Sequence, residues 1–287
     1  PRLLTYLANF PQKNGHVLNR DVNQLQAKDF QLEQGQLDVM VAGFPCQPYS
    51  IAGLRKGLED DRGGEIFNSI VRLLNEVKPK ACLLENVKGI RSHENGETFE
   101  FMLEQLSGAG YHLRHETLNS RSHANVPQNR ERVFIVGFVE ERNAARFEFP
   151  QPIDLTNSIH DCLLPADQID DKFYYDERYG AFSTIKSEVT KTDTIYQWRR
   201  QYVRENKSNS CPTLTANMGS GGHNVPLVRD SRGIRKLTPR ETANFQGFPT
   251  SFTLPDIAPS HNYHQFGNSV TVPLIERIAQ EMIEALS

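Results

Sequence analysis

The sequence predicts an α/β fold carrying a separate, loop-rich module, on three observations. Up to Phe138, short apolar runs alternate with segments of helical spacing. From about Gln151 to Ser231, proline and polar clusters replace that alternation. After Thr238 regular spacing returns and continues to the carboxyl end.

Leu37 to Gly43 (LDVMVAG) is a short apolar run closed by glycine, as in a buried strand. Ile66, Phe67, Ile70, Val71, Leu74 and Val77 recur at helical spacing, and Pro79 punctuates that segment. Ala81 to Leu84 reads as the next strand and Thr98 to Leu106 as a second amphipathic helix. A turn at Gly108 to Gly110 follows, then a third strand at Val133 to Phe138. Strands joined by helices predict a parallel sheet with crossover connections, whose ligands sit at the carboxyl ends of the strands. The later module holds an acidic stretch, Asp167 to Glu177, and a Gly219-Ser220-Gly221-Gly222 turn. Thr238 to Glu241 has the form of a capping box. Val272 to Leu286 predicts a terminal amphipathic helix starting near Pro273.

With 287 residues, 38% hydrophobic and 23% charged, the chain has the composition of a globular protein rather than a disordered one. No apolar run approaches the roughly 20 residues of a membrane span. Cys46, Cys82, Cys162 and Cys211 lie far apart with no C-x-x-C pair. That argues against a zinc ribbon, a redox pair or a secreted disulfide framework, and for a reducing cytoplasm. The net charge of −3 divides unevenly: residues 186 to 240 hold eleven Lys/Arg against four acids. Such a segment is either a solvated charged face or a phosphate-binding surface on an acidic body.

Four sets of residues carry candidate chemistry. Cys46, in GFPCQP, follows a buried strand, where a loop holds a thiol beside backbone amides. Glu85 and Asn86 directly follow the second strand, placing a carboxyl group at a second strand end, the position of a general acid or of a helix cap. Arg130 and Arg132 lead into the third strand, two apart, so they are expected to point one way on the pleat, toward a polar ligand or a surface ion pair. Asn268 lies in a Gly-Asn turn before the last helix.

Taken together and in order, GFPCQPYS (43–50), ENVKG (85–89), QNRERVFIVGF (128–138), RKLTPRETANFQGFP (235–249) and QFGNSV (265–270) resemble the bacterial cytosine-5 DNA methyltransferases of restriction-modification systems. The resemblance spans nearly the whole chain from about Thr5. It implies a Rossmann-like S-adenosylmethionine-dependent methyltransferase sheet at 1–150, a smaller loop-rich target-recognition domain at 151–234, and a return to the catalytic domain at 235–287. It implies methyl transfer from S-adenosyl-L-methionine to carbon 5 of cytosine in a specific duplex DNA, through a Cys46 adduct on a flipped base. Glu85 would hold or protonate ring nitrogen 3, and Arg132, with Arg130 beside it, would bind the base oxygen. Asp21, Phe44, Ile66 and Asn268 are the implied cofactor contacts. Ser50, Arg199, Arg200, Arg204, Thr213 and Leu214 are the implied DNA contacts, and Ser50 to Gly63 resembles a loop that closes behind the base. No metal is expected, since the H-x-E and P-C-x-x-C signature of zinc deaminases is absent.

The family's opening strand with its Phe-x-Gly-x-Gly-Gly loop is not found here. The expectation is that about 40 to 50 residues precede Pro1 or come from a second chain, the length of one βαβ beginning. Two alternatives stay open: cytosine methylation in RNA, and a DNA-binding piece inactive without a separate amino-terminal partner.

Overall fold

The computed structural model describes residues 2–11, 17–45, 62–219 and 224–287. Cys46, Ser50, most of the expected closing loop and the Ser220 to Gly222 part of the glycine turn lie outside the described residues. In chain order come α1 (Arg2–Asn9), β1 (Val39–Gly43), α2 (Arg62–Val77), β2 (Ala81–Val87), α3 (Glu97–Gly108) and β3 (His112–Asn119). The short α4 (Ser120–His123), β4 (Gln128–Asn129), β5 (Glu131–Phe138), α5 (Glu141–Arg146) and α6 (Phe182–Glu188) follow. The remainder is β6 (Tyr196–Trp198), β7 (Val203–Glu205), β8 (Cys211–Pro212), β9 (Val225–Arg229), β10 (Ile234–Lys236), α7 (Pro239–Asn244), α8 (Pro259–Gly267) and α9 (Val272–Leu286). Contacts divide the chain into two compact units.

The first unit, Leu18–Leu118 with Glu131–Pro150 and Ile278–Ser287, contains a sheet of order β1-β2-β5-β3. Residues 81–84 of β2 and 133–138 of β5 read as unbroken apolar runs because both of their faces are covered. Phe67, Ile70, Leu74 and Val77 form one buried stripe of α2, and Phe99, Met102 and Leu106 one of α3. All but Val77 close a single core with Cys82, Leu84, Val133 and Ile135, each large side chain worth roughly 1.5–3 kcal/mol of burial. Gly137 is required inside β5: a Cβ there would stand 2.9 Å from Cys82 Sγ and 3.1 Å from Tyr111.

The elements expected from the sequence are present, but the sheet is mixed rather than parallel. β1 pairs parallel with β2, whereas β5 runs antiparallel to β2. The physical reason is β3, which the sequence reading left unassigned; it stands between α3 and β5, so the connection is not one helical crossover. Its residues, HLRHETLN, are mostly polar and half of them exposed, and carry no apolar run to mark them.

The second unit, Pro1–Val17 with Asn119–Arg130 and Gln151–Arg277, has short strands. An antiparallel sheet of order β10-β9-β6-β7 buries Tyr196, Trp198, Val225, Leu227 and Ile234 against Ile185. A parallel pair, β4 with β8, joins Gln128 to Cys211 and Asn129 to Pro212. The 151–231 stretch is loop-rich as expected, threaded by single turns of 3-10 helix. Thr238 caps α7 through the expected box: its hydroxyl accepts from Glu241 N at 3.2 Å, and Glu241 accepts from Thr238 N at 2.7 Å.

Candidate active site and recognition surface

In the first unit, register decides which polar side chains meet. Glu85 pairs with Phe134 and Val87 with Arg132, so Glu85 and Arg132 are diagonal neighbours on one face. Their side chains form an ion pair, Arg132 Nε to Glu85 Oε1 at 3.0 Å, with 14% and 15% of each exposed. Gly43 pairs with Glu85 across the sheet, and a Cβ on Gly43 would lie 3.5 Å from Glu85 Oε2. The carboxylate therefore stands over the last residue of β1, three positions before Cys46. Asn86 is buried and its amide donates to Phe44 O at 3.4 Å, fixing the same strand end. β2 runs through Val87, so Glu85 and Asn86 lie inside the end of the strand rather than in a loop after it.

The expected cofactor contacts of this unit gather about the amino-terminal half of α2. Asn23 donates to Glu65 at 3.5 Å and accepts from Ser69 at 2.8 Å, which seats the Asp21 turn on the helix. Asp21 Oδ1 accepts from Asn23 N at 3.0 Å, and its carboxylate is exposed. Ile66 is half-buried on the same helix, and Phe44 packs on Phe67 at 5.7 Å between ring centroids. An aromatic ring and an exposed carboxylate acceptor, each seated against the amino-terminal half of α2, are the residue types that suit the flat, amine-bearing adenine of S-adenosyl-L-methionine. Asn268 belongs to the second unit, where it closes α8 and its amide meets His264 Nδ1 at 3.2 Å.

The three described cysteines are poor nucleophiles. Burial pushes the Cys82 and Cys162 thiols up to about 12, and Cys211, wholly enclosed, is raised as well. Among the described residues no His/Cys/Asp/Glu group of three is arranged to hold a metal ion.

In the second unit Arg130 is 2% exposed. Its guanidinium donates to Leu214 O at 2.9 Å, Gly267 O at 3.2 Å and Ser269 O at 2.5 Å. It lies before β5 begins, so the expectation that Arg130 and Arg132 share one direction on the pleat does not hold. Gln128, fully buried, takes Leu214 N at 3.1 Å, and Thr213 Oγ1 donates to Asn129 O at 2.6 Å. The Thr213-Leu214 segment is thus strapped to Gln128–Arg130, and the Leu214 side chain is in the core. Gly267 admits this arrangement: its α-carbon abuts the Thr215–Ala216 backbone, leaving no room for a Cβ.

The basic segment is not one charged face. Arg235 is buried with Glu241 and Asp230, Arg232 pairs with Asp171, Lys191 pairs with Glu205, and Arg240 donates to backbone carbonyls. Arg200, Arg204 and Lys207 are exposed and make no ion pair among the described residues, while the half-buried Arg199 donates to Gln197. Sequence reasoning missed Gln128 and the Arg235–Glu241 pair. The latter's signal was present, since a capping-box Glu with Arg six residues before it can bond both ways.

A mixed α/β sheet with polar groups collected at its strand ends is the architecture of a nucleotide-cofactor transferase. The family signature of C-5 cytosine-specific DNA methylase matches residues 2–284, and the chain belongs to that family, whose members use S-adenosyl-L-methionine as methyl donor. It is 48% identical to the type II methyltransferase M.Bsp6I of Bacillus sp. (strain RFL6) over 284 residues, covering 99% of this chain and 88% of that one. It is 36% identical to M.NlaX of Neisseria lactamica, covering 99% and 85%. The fold matches S. pombe Dnmt2 with a TM-score of 0.70 at 20% identity, over 99% of this chain and 88% of that one. Entamoeba histolytica EhMeth matches with a TM-score of 0.70 at 15% identity, over 99% and 87%. No described helix is long and apolar enough to cross a membrane.

Proposed function

We propose that this chain methylates carbon 5 of cytosine within a specific duplex DNA sequence, through a Cys46 adduct on a base flipped from the helix. The observation that carries this reading is the Glu85–Arg132 pair standing over the strand end that leads into Cys46. S-adenosyl-L-methionine supplies an electrophilic methyl group. The Cys46 thiolate adds to carbon 6 of the ring, forming a carbon–sulfur bond and making carbon 5 nucleophilic. Glu85 holds ring nitrogen 3, and Arg132 binds the base oxygen while orienting Glu85. Carbon 5 takes the methyl group with release of S-adenosyl-L-homocysteine; its proton then passes to water, and the electron pair of that bond re-forms the 5,6 double bond as carbon 6 releases the thiolate, restoring the aromatic ring. Asp21, Phe44, Ile66 and Asn268 hold the donor.

Residues 1–150 with 235–287 do the chemistry in this reading, and 151–234 recognise the target, with Ser50, Arg199, Arg200, Arg204 and Thr213 meeting the DNA. Arg130 and Leu214 act by position: one buried guanidinium ties the Thr213-Leu214 strap to the turn bearing Asn268. The alternative of a piece inactive without an amino-terminal partner has no observation in its favour. The test is labelled methyl transfer to duplex DNA and to tRNA by wild type and Cys46→Ser. Transfer to DNA by the wild type alone, with DNA binding kept by the variant, is the expected result. Turnover by Cys46→Ser would exclude the covalent route, and preference for tRNA would exclude the substrate.

A further inference from the structure

The antiparallel sheet of the second unit has two unlike faces. Tyr196 and Trp198 of β6, with Val225 and Leu227 of β9, bury one face. Strand alternation sends Gln197 to the other, directly opposite Arg204 on β7 and Pro226 on β9. The same alternation carries Arg199, Asn206 and Asn224 to that second face. There they border a cavity of 260 Å³, whose far wall is the Thr213–Thr215 strap.

Asn206, Thr215 and Asn224, which line this cavity, each carry a buried polar atom unpartnered among the described residues: Nδ2, Oγ1 and Oδ1. A buried polar atom left unpaired costs about 1–3 kcal/mol, so three around one cavity mark a place whose hydrogen bonds are completed from outside. Gln197 is itself buried and accepts from Arg199 Nη1 at 3.2 Å, which aims that guanidinium along the cavity rim. The cavity is thus lined by two arginines, three asparagines and two threonines beside Gln197.

We propose that this cavity reads one guanine-containing base pair of the target sequence, with Arg204 and Arg199 directed at guanine O6 and N7 and the Asn206, Thr215 and Asn224 groups completing the base-pair edge. This deepens the proposed function and rests on duplex DNA being the substrate. Guanine is favoured because its groove edge presents two adjacent acceptors, the pattern an arginine fork satisfies. A phosphate would use the arginines but would leave the asparagine and threonine groups of the lining without matching partners.

Selection of bound duplexes from a randomised library by the full-length protein, compared with its Arg204→Lys and Asn206→Asp variants, tests the assignment. Arg204→Lys keeps the positive charge and lies on an exposed side chain, so folding is not at issue; melting curves check Asn206→Asp. The expected result is a wild-type motif with a guanine whose preference falls roughly tenfold or more in both variants, other positions holding. A motif unchanged in both, a uniform weakening at all positions, loss at a position that is not guanine, or no wild-type motif would overturn it. Selection needs no methyl transfer, so bisulfite readout of the same bound duplexes separates failure of the pocket from failure of the methylation reading.

Discussion

Each unit of the molecule contains a bidentate-capable Arg–Glu pair, and the two are built for different purposes. Arg235 and Glu241 are 1% and 0% exposed, joined at 2.9 and 2.8 Å through both nitrogens and both oxygens. Glu241 also accepts from Thr238 N and Leu164 N, and Arg235 donates to Asp230. Arg132 Nε meets Glu85 Oε1 at 3.0 Å, and the two side chains keep about a seventh of their surface open. A fully enclosed, fully bonded pair is a strut that ties β10 to α7. A pair with open surface at a strand end retains room for a ligand's hydrogen bonds. Enclosure, rather than the presence of the ion pair, separates structure from chemistry here.

The largest effect that sharpens this contrast is expected at the open pair. Glu85→Gln removes the proton-holding group while keeping its shape, and methyl transfer is expected to fall by about 10²–10⁴-fold. Melting temperature should move little, because the pair is partly solvated and Gln still bonds to Arg132. Single-turnover transfer with labelled donor, beside a thermal melt, reads both; a large melt shift with intact transfer would reverse the two roles.

At the closed pair the effect is expected on stability. Glu241→Gln leaves Arg235 with half its compensation in the core and is expected to cost about 3–5 kcal/mol, read as a drop in urea midpoint. A double replacement of Arg235 and Glu241 by Met and Leu should recover most of that loss. If the single variant melts like the wild type, the closed pair is not a strut.

How much of this was legible in the sequence follows the same physics. Residues 39–43, 62–77, 81–87, 97–108 and 131–138 announce themselves because burial on a sheet or a helix stripe imposes an apolar rhythm. β3 does not, because six of its eight residues are polar and half are exposed. Glu85 and Arg132 were legible as types at strand ends, but their meeting depends on the antiparallel register of β2 and β5, which no local pattern encodes. Arg130 was misjudged in direction for a related reason. Its three acceptors are backbone carbonyls 84, 137 and 139 residues away, and a carbonyl has no residue type to read. The polar face behind the proposed guanine cavity was written in alternation over three-residue strands, too short to stand out from a loop.

The smallest of the effects concerns Asp230, the outer member of the closed network. Burial alone would raise its carboxyl, but bonds from Arg235 Nε at 2.7 Å, Arg232 N at 2.9 Å and Tyr174 Oη at 2.9 Å outweigh it and hold the group below its ordinary value. The Tyr174 hydroxyl is raised, first by burial and then by this carboxylate. A carboxyl depressed in the folded state stabilises above its unfolded value of about 3.9 and loses that contribution as pH falls through the folded value. Asp230→Asn is therefore expected to cost about 1.5–3 kcal/mol at neutral pH, the range for hydrogen bonds to a charged group. The gap to wild type should narrow below pH of about 4, where the wild-type carboxyl also becomes neutral. Urea midpoints from pH 3 to 7 in both proteins measure it. A gap that stays constant across that range would mean Asp230 contributes by shape alone, and that the charge holding Arg235 in the core comes from Glu241 by itself.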